Sequence, residues 1–114
     1  IPEKVLINGN DYTITCIGNK AFKNCSGLKS IEIPESAKHN RTFYYCSHLT
    51  NIKIPESVTN IGNSAFYGCS HLTNIEIPTS VTNIGISTFQ NCSNLTNIEI
   101  PTSITRIEEW AFSN

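Results

Sequence analysis

The sequence predicts a β-dominated solenoid, a stack of short coils sharing one hydrophobic core. Three observations carry this. Residue columns recur along the chain at a near-constant spacing. Ile and Thr, which favour strands, occur 17 and 12 times in 114 residues, with 14 Asn and 12 Ser to supply turns. Ala occurs only four times, so long helices are not expected.

The columns are explicit. Phe stands at 22, 43, 66, 89 and 112, and Leu at 28, 49, 72 and 95. Cys-Ser stands at 25–26, 46–47, 69–70 and 92–93, and Ile-Pro at 33–34, 54–55, 77–78 and 100–101. Steps that cross residues 34–43 are 21 residues long, and the others are 23. One such unit is too small to bury its own apolar face, so stacking must complete the core.

Each element follows from local pattern. Val5-Leu-Ile7-Asn8-Gly9-Asn10-Asp11-Tyr12 places an Asn-Gly turn between β-favouring runs, which signals a hairpin that could shield one end. Tyr12 to Phe22 aligns with later units, Ile14 falling in the column of Val58 and Ile17 in that of Ile61. In the full unit, 58–62 and 81–85 read as short strands. The Leu-x-x-Ile-x-Ile segments at 28–33, 49–54, 72–77 and 95–100 read as the longer strands, parallel and about 4.8 Å apart. Proline ends each of them. Between short and long strand, Gly62 permits a turn, Asn63 can cap one helical turn, and Phe66 and Cys69 share its inner face. Residues 34–43 are two residues short and lack the Ile-Gly pair, so no short strand is expected in that coil.

With Leu-x-x-Ile-x-Ile, Ile-Pro, Ile-Gly, Ala-Phe and Cys-Ser at these offsets, the chain from Tyr12 to Phe112 resembles the BspA-like leucine-rich repeat family. The resemblance implies a right-handed solenoid of the α/β class, with a parallel sheet on its concave side. It also implies exported, cell-surface proteins of anaerobic bacteria and some protists, some associated with adhesion to host or matrix proteins. The expected organisation is a single leucine-rich repeat solenoid domain over 1–114 of about four and a half repeats. It has an irregular part at 1–21 and a shortened repeat at 34–43. The chain has no Met, so it is expected to be a piece of a longer protein.

Composition excludes some functions. Eight Lys and Arg against nine Asp and Glu give a net charge of −1, which makes no case for nucleic acid or an anionic membrane. No apolar run has the length of a membrane span. Neither a G-x-S-x-G elbow, a phosphate loop nor H-E-x-x-H is present, so no enzyme and no cofactor is expected.

Other clusters follow the repeat. Cys25, Cys46, Cys69 and Cys92 read as a column of buried free thiols, with disulfides between coils the alternative. Cys16 stands apart, where later units have Asn60 and Asn83, and is expected to be more exposed. Cys46-x-His48 and Cys69-x-His71 carry metal-type donors, but His varies while Cys stays constant, and a ladder does not converge on one ion. Asn24, Asn40, Asn91 and Asn94 head Asn-x-Ser/Thr sequons.

Two surfaces are candidates for binding. Along the long strands the residues between the apolar ones point outward, forming the columns Ser30, Asn51, Asn74, Asn97 and Glu32, Lys53, Glu76, Glu99. A polar face of this kind suits a protein or glycan partner better than a small molecule. The second surface is the irregular basic stretch with Lys38, His39 and Arg41, followed by Tyr44 and Tyr45. A solvated loop is the plain alternative there. The expected function is a non-enzymatic interaction or adhesion module. The alternative is a structural spacer, favoured by the near-identity of 55–77 and 78–100.

Overall fold

The structure is a computed structural model. It describes the chain except residues 3, 14, 15, 19, 34–37, 40 and 41 and the side chains of 16, 38 and 39. The expectations for Ile14, Arg41 and the Asn40 sequon, and for the side chains of Cys16, Lys38 and His39, therefore lie outside the described residues.

The N-terminal hairpin forms as its Asn-Gly pair predicts. Strand β1 (Lys4–Ile7) pairs antiparallel with β2 (Asn10–Thr13). Asn8 and Gly9 turn the chain at φ 51° and 80°, the positive pair of a two-residue hairpin loop.

Two parallel ladders then run through the coils. The major sheet joins β4 (Ser30–Glu32), β6 (Asn51–Lys53) and β8 (Asn74–Glu76), with Ile31, Ile52 and Ile75 directly in register. The minor sheet joins β7 (Asn60–Ile61), β9 (Asn83–Ile84) and β10 (Arg106–Ile107). Strands are two or three residues long because the flanking Ile-Pro and Ile-Gly positions turn the chain at once.

Three expectations need correction. Residues 95–100 do not join the major sheet, whose last strand is β8. A short strand does exist in the shortened coil: β5 (Lys38–His39) pairs in parallel with β3 (Cys16–Ile17). Backbone pairing needs only extended residues in register, so the missing Ile-Gly pair did not prevent it. Third, no helix occurs among the described residues. The 62–69 segment is instead a run of overlapping turns closed from Ala65 N to Gly62 O, Tyr67 N to Ser64 O and Cys69 N to Phe66 O. Positive φ at Ser64 (55°) and Gly68 (72°) breaks any helical continuation, and the Asn63 side chain accepts from Ile86 N of the next coil rather than capping its own.

These turns bind coil to coil. Ser64, Phe66 and Gly68 donate their N–H groups to Ile86, Thr88 and Gln90 of the next coil, and Ser87, Phe89 and Asn91 donate to Glu109, Ala111 and Ser113. Side chains add a second set of links. Thr73 and Thr82 hydroxyls donate to the carbonyls of Thr50 and Thr59, and Ser80 and Ser103 hydroxyls to those of Val58 and Val81. The buried Thr88 hydroxyl reaches both Gly62 O and Gly85 O.

The core sits between the ladders. Phe22, Phe43, Phe66, Phe89 and Phe112 stack ring on ring, with centroids 5.5, 5.4, 5.4 and 5.3 Å apart. Leu49, Leu72, Ile61, Ile84, Ile52 and Ile75 fill the space beside them. The cysteine column is inside as expected for Cys46, Cys69 and Cys92, while Cys25 in the first coil is only half-buried; these four are free thiols. Each buried thiol donates to a Phe carbonyl one coil back, Cys46 to Phe22, Cys69 to Phe43 and Cys92 to Phe66.

Burial pushes the Cys46 and Cys92 thiols up to about 11 and about 12, and raises Cys69 further. An unfolded chain sheds thiol protons above about pH 8.5. The folded chain keeps them to the higher values, so the thiols cost no stability below that pH and weaken the fold progressively above it. Urea unfolding across pH 7–11 should show stability falling in the alkaline range, with a shallower fall in Cys92→Ala than in the unaltered chain.

Gly85 is fixed by packing, not by a turn. A Cβ there would meet Asn63 Oδ1 at 2.5 Å and Asn63 N at 2.7 Å, because the coils touch backbone to backbone. Gly85→Ala should lower stability by about 1–3 kcal/mol. Gly27→Ala, with open space around it, should stay within about 0.5 kcal/mol in the same denaturation assay.

Candidate interaction surface

The major sheet brings the predicted outward residues together. Ser30, Asn51 and Asn74 lie in one register line, and Glu32, Lys53 and Glu76 in the next. All six side chains are exposed, and the Ile between them is turned into the core. None of the six side chains has a hydrogen bond or ion pair among the described residues; the ion pair found there is Arg106–Glu108, on the minor-sheet side. Two shallow depressions mark the face, one of about 540 Å³ over β4 and β6 and one of about 290 Å³ between β8 and residues 97 and 99. Asn97 and Glu99 are exposed beside this sheet but outside its ladder.

The second predicted group divides. Lys38 and His39 lie on β5, and Arg41 is outside the described residues. Tyr44 and Tyr45 instead belong to the turn after Thr42, where they meet a residue that the sequence reading did not single out, Tyr67 of the next coil. Tyr44 and Tyr67 stack at 5.0 Å, and Tyr45 meets both rings edge-on. Lys23 Nζ lies 5.8 Å from the Tyr44 ring centre, and Asn91 Nδ2 donates to the Tyr67 hydroxyl at 3.2 Å. Tyr45 covers Gly68 so closely that a Cβ there would meet its ring at 2.6 Å. The hydrogen-bonding Tyr67 hydroxyl beside Tyr45 holds its phenol above the usual value. The periodic columns could have shown this pairing, since Tyr44 and Tyr67 are one 23-residue step apart.

His48 and His71 also stack, with centroids 5.0 Å apart, and His71 Nδ1–H donates to Ser47 O at 2.7 Å. The histidines point outward while Cys46 and Cys69 point into the core, so each Cys-x-His pair is split between two sides of the chain. No group of three or more His, Cys, Asp or Glu among the described residues is placed to hold a metal ion. Asn24, Asn91 and Asn94 are exposed.

Comparison with known proteins settles the family. The family model described as BspA type leucine rich repeat region (6 copies) matches residues 7–114. The chain belongs to the BspA-type leucine-rich repeat family. A leucine-rich repeat protein from Bacteroides ovatus is 35% identical, with a TM-score of 0.93 over 98% of this chain and 30% of its own. The leucine-rich repeat protein of T. pallidum is 30% identical, with a TM-score of 0.82 over 94% of this chain and 50% of its own. A leucine rich cell surface protein from Faecalibacterium prausnitzii is 28% identical, with a TM-score of 0.66 over 99% of this chain and 38% of its own. The chain thus spans a third to a half of the length of these relatives. No curated protein matches it. Among the described residues, no helix is long and apolar enough to cross a membrane.

Proposed function

We propose that this chain is a non-enzymatic protein-interaction module that binds through the outward face of its major sheet, within a longer exported cell-surface protein. The observation that carries this is the contrast between the two sets of polar side chains. The Ser and Thr columns are consumed by bonds between coils. The side chains of Asn51, Lys53, Asn74 and Glu76 stand exposed with no internal role. A broad polar surface without a deep apolar pocket fits a protein or glycan surface, such as a host or matrix protein, better than a small molecule.

The cell-surface location rests on family membership and on the F. prausnitzii relative. We take 1–114 as one continuous solenoid unit whose coils continue in the parent protein. The coils are taken to wind right-handed, the hand of nearly all parallel strand crossovers. The Tyr44–Tyr45–Tyr67 cluster is a second contact area of the same module. The spacer reading keeps one supporting observation, the near-identity of 55–77 and 78–100.

The test is capture of matrix and microbial surface proteins by the full-length protein. Exchanging Lys53→Glu with Glu76→Lys should weaken capture about tenfold or more while changing stability by less than about 0.5 kcal/mol. Capture unchanged by this exchange, or no capture at all, would favour the spacer.

A further inference from the structure

The two sides of the solenoid differ in charge. The major-sheet side carries Glu32, Glu76 and Glu99, whereas the turn regions 18–26, 39–47, 62–70 and 85–93 contain no Asp or Glu. Three of the eight Lys and Arg stand in the first two of these turn regions, Lys20, Lys23 and Arg41. Lys20 and Lys23 frame one turn, closed from Lys23 N to Lys20 O at 2.9 Å. Both are exposed, and neither makes an ion pair among the described residues. A row of contacts leads from them along the solenoid axis. Lys23 Nζ lies 5.8 Å from the Tyr44 ring centre, Tyr44 and Tyr67 stack at 5.0 Å, and Asn91 Nδ2 reaches the Tyr67 hydroxyl at 3.2 Å. Each member belongs to the next coil, so the row crosses four coils.

Tyr45 is the informative departure from the repeat. Its place is taken by Asn24, Gly68 and Asn91 in other coils, and all four residues adopt positive φ, at 60°, 58°, 72° and 61° in chain order. Gly and Asn suit that conformation, and a bulky ring does not. Tyr45 is nevertheless held there, its N–H donating to Tyr67 O at 2.7 Å. Its ring stands across the Tyr44–Tyr67 stack, at 80° and 68° to the two planes, covers Gly68 and is 44% exposed. Backbone strain kept at an exposed aromatic residue points to use at the surface.

We infer that this basic, tyrosine-lined turn face binds a linear anionic glycan laid along the solenoid axis. Its carboxylates or sulfates would meet Lys20 and Lys23. Its sugar rings would lie against Tyr45 and the polar ends of Tyr67 and Asn91, the rigid amphipathic contact that Tyr supplies at low entropic cost. The rise favours a glycan over an acidic peptide. Phe ring centres, one per coil, are 5.3–5.5 Å apart. An extended peptide advances about 3.3 Å per residue and falls out of step with the coils, whereas a pyranose unit is about as long as one coil is high. The inference names the partner of the tyrosine area proposed above, and it rests on the reading of the chain as a binding module.

The probes are hexamannuronate, a heparin hexasaccharide, hexaglutamate and neutral cellohexaose. Titration calorimetry of the full-length protein at low salt should show an anionic sugar binding about tenfold or more tightly than hexaglutamate and cellohexaose. Which of the two anionic sugars binds better separates carboxylate from sulfate recognition. Lys20→Gln with Lys23→Gln should weaken that binding about tenfold. Tyr45→Asn should also weaken it, while leaving the melting temperature unchanged or higher, because Asn suits the backbone there. Hexaglutamate binding as tightly as the sugars would overturn the inference in favour of an acidic protein partner. No binding of either anionic sugar, or binding untouched by both variants, would overturn it outright. Lys53→Glu with Glu76→Lys, on the sheet face, should leave sugar binding unchanged. If no sugar binds but that exchange still removes partner capture, the interaction reading stands without the glycan.

Discussion

Every coil in this chain depends on being placed in register at one fixed rise from the next. A single coil leaves its Phe, Leu and Ile side chains open on two faces and its backbone groups without partners. Stacking answers both needs at once, because equal coils present equal groups. The Phe rings lie 5.3–5.5 Å apart for this reason. The N–H groups of one turn region meet the carbonyls of the next for the same reason. Ser, Thr and Cys are used as inward or lateral donors to the neighbouring backbone, so polar side chains with no partner in their own coil are part of the seam between coils. Asn83 Nδ2 donating to Asn60 Oδ1 makes the same link between side chains.

Much of this was legible in the letters. Columns of Phe, Leu, Ile and Cys specify the core, since a residue kept at one place in every coil must face the same neighbours. The Asn-Gly pair specified the hairpin. The turns were not legible as turns. Lys20, Ser64, Ser87 and Trp110 all adopt positive φ, and none of them is a residue whose type announces it. At Ser64 and Ser87 a bond to the next coil, to Ile86 O and Glu109 O, holds that conformation, and such bonds are invisible to a reading of one unit. The short strand at Lys38–His39 was missed for a related reason: its pairing comes from β3, about twenty residues earlier, and not from its own composition.

The candidate surface was legible in its columns and not in its extent. Period-two alternation placed Asn51, Lys53, Asn74 and Glu76 outward, as found. Residues 95–100 carry the same alternation and lie outside the ladder, a difference that identical letters at 72–78 and 95–101 cannot show. Tyr67 was overlooked because aromatic contacts here run along the stack, between residues a full unit apart, and a motif search works along the chain. The Tyr44–Tyr67 and His48–His71 stacks are both of this kind.

The shortened coil keeps its place on either side of the deficit. Ile33 is buried in the column of Ile54 and Ile77, and Thr42 O accepts from Phe22 N as Ala111 O does from Phe89 N. The two missing residues are thus absorbed wholly between positions 33 and 42, on the arc joining the major sheet to the turns. Elsewhere a length change would shift whole ladders out of phase. With Ile33 and Thr42 held in place on either side, this arc is where a change of length leaves the neighbouring columns undisturbed, and so the natural place to graft a foreign loop.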